Sequence, residues 1–216
     1  MSTVTPASEQ VPKRTFWRSF WQKYLRPAVM LTLLLTLLTG IIYPGVVTGL
    51  AQLLFPYQAN GSLHYVNGKL VGSDLIGQYW TLPKYFHGRP SATVNLNGTP
   101  SPYEADNSSA SNLGPTNATL IKSVQQRVAD LKKENPNAPA GPVPVDLVTT
   151  SGSGLDPDIS VAGALYQVPR IAQARRLSQS AVQQLVMAHV QGRFLGIFGE
   201  PYVNVLDLNL ALDALK

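Results

Sequence analysis

The sequence predicts an α+β protein: a single N-terminal transmembrane helix followed by a mixed α/β extracytoplasmic domain with a β-hairpin and long ordered loops. Three observations carry this expectation. From Pro27 to Gly68 there is no Asp, Glu, Lys or Arg, and the apolar run within it, Ala28 to Phe55, exceeds the about 20 residues that cross a bilayer. Beyond it, "SLHYVNGKLVGS" places Asn67-Gly68 between two extended segments, the strongest short-range hairpin signal a sequence carries. Further on, apolar residues recur at helical spacing in separate segments. The expected organisation is a basic cytoplasmic tail (1–26), a span with its boundaries (27–56) and an extracytoplasmic α+β domain (57–216).

Charge sets the orientation. Lys13, Arg14, Arg18, Lys23 and Arg26 precede the span against Glu9 alone, while the next charge is Lys69. The positive-inside rule then keeps the N-terminus in the cytoplasm. Because the tail holds most of the formal +5, the remaining 12 basic and 11 acidic residues nearly cancel, which argues against nucleic acid as a partner. A cleaved signal peptide has an apolar region of roughly 7–15 residues, and this run is longer. Trp17, Trp21 and Tyr24 before it, and Phe55 and Tyr57 after it, suit the two membrane interfaces.

A simple anchor needs only leucine, whereas this span holds Thr36, Gly40, Pro44, Gly45 and Gly49. Gly45 and Gly49 form a small-xxx-small pair that admits another helix backbone, and threonine hydroxyls can hydrogen-bond across such a contact. Pro44 removes the bond to the carbonyl of Gly40 and is expected to bend the helix.

In the external domain, residues 78–116 are rich in turn formers and read as ordered loop. Leu120, Ile121, Val124, Val128 and Leu131 predict a helix that stops at Asn135-Pro136, and "NPNAPAGPVPV" is a connector. "VDLVTT" reads as a strand, "ISVAGALYQVPRIAQARR" as a helix interrupted near Pro169, and "SQSAVQQLVMAHVQ" as a second helix. "YVNVLDLNLALDAL" fits strand or helix in its second half; the reading adopted is a strand followed by a short terminal helix.

The stretch "TTSGSGLDPDIS" (149–160) has the composition of a phosphate cradle, a metal loop or a nucleophile turn. The chain contains no G-x-x-x-x-G-K-[ST] string for phosphate and magnesium. Ser153 is flanked two places away by Ser151 and Leu155, so the G-x-S-x-G elbow fails. Asp156 and Asp158 lack the further oxygens of an EF-type loop. A structured turn starting at Asp156-Pro157 remains. His64, His87 and His189 show no paired zinc spacing, and zero cysteines exclude thiolate sites. No metal site and no catalytic constellation are expected.

"RPAVMLTLLLTLLTGIIYP", "FPYQANGSL", "GSDLIGQYW", "YFHGRPSAT", "SNLGPTN", "DLVTTSGSGLDP" and "VNVLDLNLAL" occur in the order seen in the C subunit of the bacterial Kdp potassium-transporting ATPase, which the chain resembles over about residues 25–215. The resemblance implies a single-pass protein of the bacterial inner membrane. Its implied partners are a channel-like A subunit that binds potassium, a P-type B subunit that hydrolyses ATP, and a small single-helix F subunit. It also marks Gly88, Arg89, Pro90, Ser111, Asn112, Leu113, Gly114, Ser153, Gly154, Leu155, Asp156 and Asn204 as signature positions for subunit contact.

Two roles are attached to the family: a catalytic chaperone that raises the ATP affinity of the B subunit, and a structural cap over the external potassium entrance. A free-standing solute-binding domain is a third class. The stretch compared in the family with an L-S-G-G-Q nucleotide signature is here Leu177-Ser178-Gln179-Ser180-Ala181, lacking both glycines and the final glutamine. Ser178 and Gln179 are therefore the candidates for nucleotide contact, with Ser178 or Ser180 better suited to cap a helix. Otherwise no bound cofactor is expected, ATP reaching the complex through the B subunit. Asp158 departs from the histidine or other polar residue of many relatives, which argues against a charge-specific role there. The residues favour the cap.

Overall fold

The computed structural model describes residues 13–215, with side chains from Phe16 onward. Residues 1–12, with Glu9 of the expected tail, and Lys216 lie outside the described residues. The chain divides after Asn60 into two units.

In the first unit, α1 (Lys13–Phe20), α2 (Arg26–Leu37) and α3 (Tyr43–Leu54) run end to end through wide turns at Trp21–Leu25 and Leu38–Ile42. From Phe16 to Leu54 this is one apolar helix of 39 residues, about 58 Å long at 1.5 Å per residue and thus longer than the hydrocarbon core. Pro44 does not break it. The amide of Tyr43 bonds the Leu38 carbonyl, five residues back, so the missing Pro44 donor falls in a widened turn. Around each of Gly40, Gly45 and Gly49 nothing lies within 4 Å of where a Cβ would stand. A short α4 (Pro56–Ala59) follows, and the amides of Gln52 and Asn60 pair at 3.1 Å.

The second unit opens with the hairpin β1 (Leu63–Val66) and β2 (Lys69–Ser73), antiparallel with a bulge between His64 and Tyr65. Asn67 and Gly68 both have positive φ, 50° and 75°, the two left-handed residues of a type I′ turn. No helix or strand follows until α5 (Ala118–Glu134). Asn117 caps α5 by accepting from Thr119 and Leu120, while Lys132 and Lys133 suit the negative end of its dipole.

Two expectations are corrected here. "VDLVTT" is no strand: Val145–Leu147 form one 3-10 turn. Both carboxylate oxygens of Asp146 accept from Ser160, from its amide at 2.7 Å and its hydroxyl at 3.1 Å, which commits the segment to bracing the next helix. The strand is instead β3 (Asp158–Ser160), paired antiparallel with β4 (Tyr202–Asn204). Nor is the next helix interrupted, since α6 (Val161–Arg175) runs through Pro169. Proline in a helix interior costs about 3 kcal/mol, but Gly163, Ala164 and everything from Tyr166 to Ala172 are buried, and that burial holds the helix together. It ends at Arg176 in the left-handed region, φ 57°.

α7 (Gln179–Ala188) and α8 (Val205–Ala214) pack on α6. The core joins Ala164, Val168 and Ile171 of α6, Val182 and Val186 of α7, and Leu208 and Leu212 of α8, with Ile159, Val203 and the loop residue Phe86. Asn204 caps α8, accepting from Leu206 at 3.1 Å and Asp207 at 3.2 Å. The doubtful C-terminal stretch is thus strand then helix.

Candidate functional site

A segment with no regular structure is held in the core by side-chain amides. Asn209 of α8, 0% exposed, accepts from the Phe86 amide at 2.8 Å and donates to the Phe86 carbonyl at 3.0 Å. Gln167 of α6 does the same to His87, at 2.8 and 3.0 Å. Each clamp satisfies both backbone groups of one residue, the buried Phe86 and the half-buried His87, as a neighbouring strand would. Between them lies Arg170, 7% exposed. It donates to the carbonyls of Pro83 and Tyr85, to Asn135 and to Gln167. Burial lowers its pKa and the Glu134 carboxylate works against that. Glu134 itself is held below the usual carboxylate range by its hydrogen bond to His87, at 3.2 Å from Nδ1.

The clamped segment delivers Gly88, Arg89 and Pro90 to the wall of a cavity of about 420 Å³, lined also by Tyr79, Trp80 and Tyr103. Arg89 pairs with Asp156 at 2.9 Å and reaches the Thr150 carbonyl at 3.3 Å. The Tyr103 hydroxyl donates to the Arg89 carbonyl at 2.6 Å. Its ring needs two glycines. A Cβ on Gly77 would stand 2.2 Å from the ring, and one on Gly88 2.5 Å from the hydroxyl. Burial, then Asp156, raises the Tyr103 pKa, with Arg89 opposing, so this phenol acts only as a neutral donor. The indole Nε1 of Trp80 and the Nε of Arg89 are buried without a hydrogen-bond partner.

The glycine-rich stretch 149–160 is a junction of loops. The Ser153 carbonyl accepts from the Ser109 amide at 2.9 Å, the Gly154 carbonyl from the Ser91 hydroxyl at 2.7 Å, and the Leu155 carbonyl from the Gly77 amide at 2.8 Å. Gly154 sits at φ 70°, and a Cβ there would meet the Ser109 carbonyl at 2.5 Å. Ser111, Asn112 and Gly114 are exposed and Leu113 half-buried, with Asn112 at φ 52°. The Thr150 hydroxyl donates to Ser111 at 3.4 Å.

A second cluster gathers residues that no metal-ligand spacing in the sequence brings together. His64 of β1 pairs with Asp74 and lies 3.2 Å from Asp207 at the start of α8. The three offer ligand atoms within 4.8 Å of one another, the set among the described residues able to hold a metal ion, and one that histidine spacing did not suggest. Asp74, Asp158, Asn204 and Asp207 line an adjoining cavity of about 310 Å³. Asn204 ties it together, donating to the Asp74 carbonyl at 2.9 Å and to Asp158 at 3.1 Å. Burial, and then Asp156, pushes the Asp158 carboxyl up to about 6, against the Asn204 hydrogen bond. Burial and Asp74 raise Asp207, with His64 and His189 opposing. Asp158 is therefore an electrostatically engaged position.

Ser178 caps α7, accepting from the Ala181 amide at 3.1 Å, and its hydroxyl also lies 3.1 Å from that of Ser180. Gln179 is the first residue of α7 and exposed. Neither adjoins the two cavities described above.

One apolar helix long enough for a bilayer, followed by a small α+β unit whose loops are stapled to its helices, is the build of a single-pass membrane protein. The comparisons name the kind. The family model described as "K+-transporting ATPase, c chain" matches residues 25–214. The chain is 59% identical over 183 residues to the potassium-transporting ATPase KdpC subunit of Methylobacterium nodulans, covering 82% of this chain and 90% of that protein. It is 57% identical to the KdpC subunit of Rhodopseudomonas palustris strain BisB18 over 82% of this chain and 91% of that one. To the KdpC subunit of Bradyrhizobium diazoefficiens it is 56% identical, over 81% and 89%. The chain belongs to the KdpC family, a subunit of the potassium-transporting ATPase accessory to the catalytic one.

Sequence reasoning missed Gln167, Asn209 and Arg170, although polar residues inside "LYQVPRIA" and "LNLAL" mark polar groups on apolar helix faces, where they need partners. His64, Asp74 and Asp207 carry no such signal.

Proposed function

We propose that the chain is a non-catalytic subunit that assembles with and stabilises the potassium-binding A subunit, the ATP-hydrolysing B subunit and the small F subunit of a high-affinity potassium uptake complex. Its N-terminus lies in the cytoplasm, and its larger unit caps the external potassium entrance without touching nucleotide. The basic flank of the span supports the orientation. The observation that carries the cap over the nucleotide-contact role is the engagement of Ser178, whose hydroxyl oxygen accepts the Ala181 amide at the start of α7. An effect on the ATP affinity of the B subunit then reaches it through the membrane as a coupling free energy, typically about 1–3 kcal/mol, and is reciprocal.

The test is calorimetric titration of the purified full chain with ATP, beside dissociation of this subunit from the complex with and without ATP. No saturable, adenine-selective binding to the chain alone is expected; micromolar binding would overturn the cap and restore direct contact. Protease added to spheroplasts is expected to remove the C-terminal unit and spare the N-terminus, and the reverse pattern would end the orientation argued here.

A further inference from the structure

Between α7 and β4 the chain forms a ribbon whose base joins the β3–β4 pair at Tyr202 and whose tip stands exposed. Residues 191–202 are all exposed, and around Gly192, Gly196 and Gly199 nothing lies within 4 Å of where a Cβ would stand. The ribbon is ordered by its own bonds. Gln191 bridges Tyr202, and Phe194 exchanges both backbone hydrogen bonds with Phe198 at 2.9 and 3.0 Å. Gly196 and Ile197 donate to the carbonyls of Arg193 and Phe194. At the base Arg193 and Glu200 neutralise each other at 2.7 Å, and no charged residue lies between them. The tip carries Phe194, Leu195, Ile197 and Phe198, 62–74% exposed. Leu195 stands in the left-handed region at φ 53°, which is strained for a bulky residue.

We propose that this tip inserts into the lipid interface of the bilayer that the chain's own helix crosses. Three features select lipid over a protein face. Phe194 and Phe198, opposed across the bridge, share one face of the ribbon, and Leu195 and Ile197 at the turn are 74% and 72% exposed, so the tip is apolar and free of charge throughout, a surface that lipid can cover whole. The tip amides of Phe194, Gly196, Ile197 and Phe198 are already bonded within the ribbon, which removes most of the cost of taking backbone from water. The chain itself carries a helix long and apolar enough to cross a bilayer, so a lipid surface is the apolar phase that always accompanies it. The inference rests on Phe16–Leu54 crossing the bilayer.

The chain has no cysteine, so single labels are clean. Ile197→Cys and Phe198→Cys, carrying an environment-sensitive fluorophore, are placed in the full chain reconstituted into phosphatidylethanolamine–phosphatidylglycerol vesicles, with Gln125→Cys on exposed α5 as control. At the tip the label is expected to shift to the blue, to be quenched by nitroxides about 5–10 Å below the headgroup boundary, and to lose iodide quenching relative to the control. Adding Leu195→Asn and Ile197→Asn to the Phe198→Cys chain should abolish the blue shift while leaving the thermal melt unchanged, because both side chains are exposed and asparagine tolerates the left-handed region. Iodide access at the tip equal to the control in vesicles overturns the proposal. So does protection that arises only after assembly with the other subunits, which would make the tip a protein contact.

Discussion

Asn209→Ala removes one of the two clamps on the loop, and its cost can be worked from the structure. The substitution leaves the Phe86 amide and carbonyl, bonded at 2.8 and 3.0 Å, unpaired beside a fully buried side chain. An unsatisfied buried group costs about 1–3 kcal/mol. Two groups with partial relaxation give about 3 kcal/mol, a large fraction of the roughly 5–15 kcal/mol that holds a domain folded. Asn209→Leu separates hydrogen bonding from packing: it restores the lost volume but no bond, so most of the penalty should persist. Gln167→Ala is expected to cost about as much. Because Phe86 and His87 are adjacent, releasing one frees the other, and the double variant should fall short of the sum by about 1 kcal/mol or more. Urea unfolding of the full chain in detergent, followed by near-ultraviolet circular dichroism, reads these values. Stability of Asn209→Leu within about 0.5 kcal/mol of the parent, in the range of a neutral surface change, would refute the clamp argument.

Further outcomes are equally specific. Asp158 has a folded pKa raised from 3.8 to about 6, so its stabilising contribution is fully present below about 3.8 and is lost as pH rises through about 6. Asp158→Asn imitates the protonated group and should stabilise the unit at pH 7 by about 1 kcal/mol, after discounting for the water that reaches this half-buried side chain. The gain should vanish near pH 4, as thermal melts across pH would show; a loss at pH 7 would contradict the stated cause. Gly88→Ala places a Cβ 2.5 Å from the Tyr103 hydroxyl and should cost about 1–3 kcal/mol by overpacking, part of it recovered by Tyr103→Phe in the same melts. Gly49→Leu adds only apolar volume to the span, so membrane insertion should be normal and copurification with the other subunits reduced. Full recovery would place that glycine against lipid.

Local physics settled much of this protein before any tertiary contact was known. The I′ turn at Asn67-Gly68, the apolar run of the span, the period of α5 and the cap Ser178 each depend on a few neighbouring residues. The elements that resisted sequence reading depend on partners far along the chain. Pro169 stays helical because α6 is buried along nearly its whole length, and Val145–Leu147 is no strand because Asp146 is engaged with Ser160. The clamps join residues 80 and 123 positions apart, and the acidic cluster joins His64 and Asp74 on the hairpin to Asp207 on the last helix. A sequence displays the polar residues that will need partners, but partner choice is made by packing. That is why the loop's attachment, the raised pKa of Asp158 and the exposed apolar ribbon were decided by the tertiary structure alone.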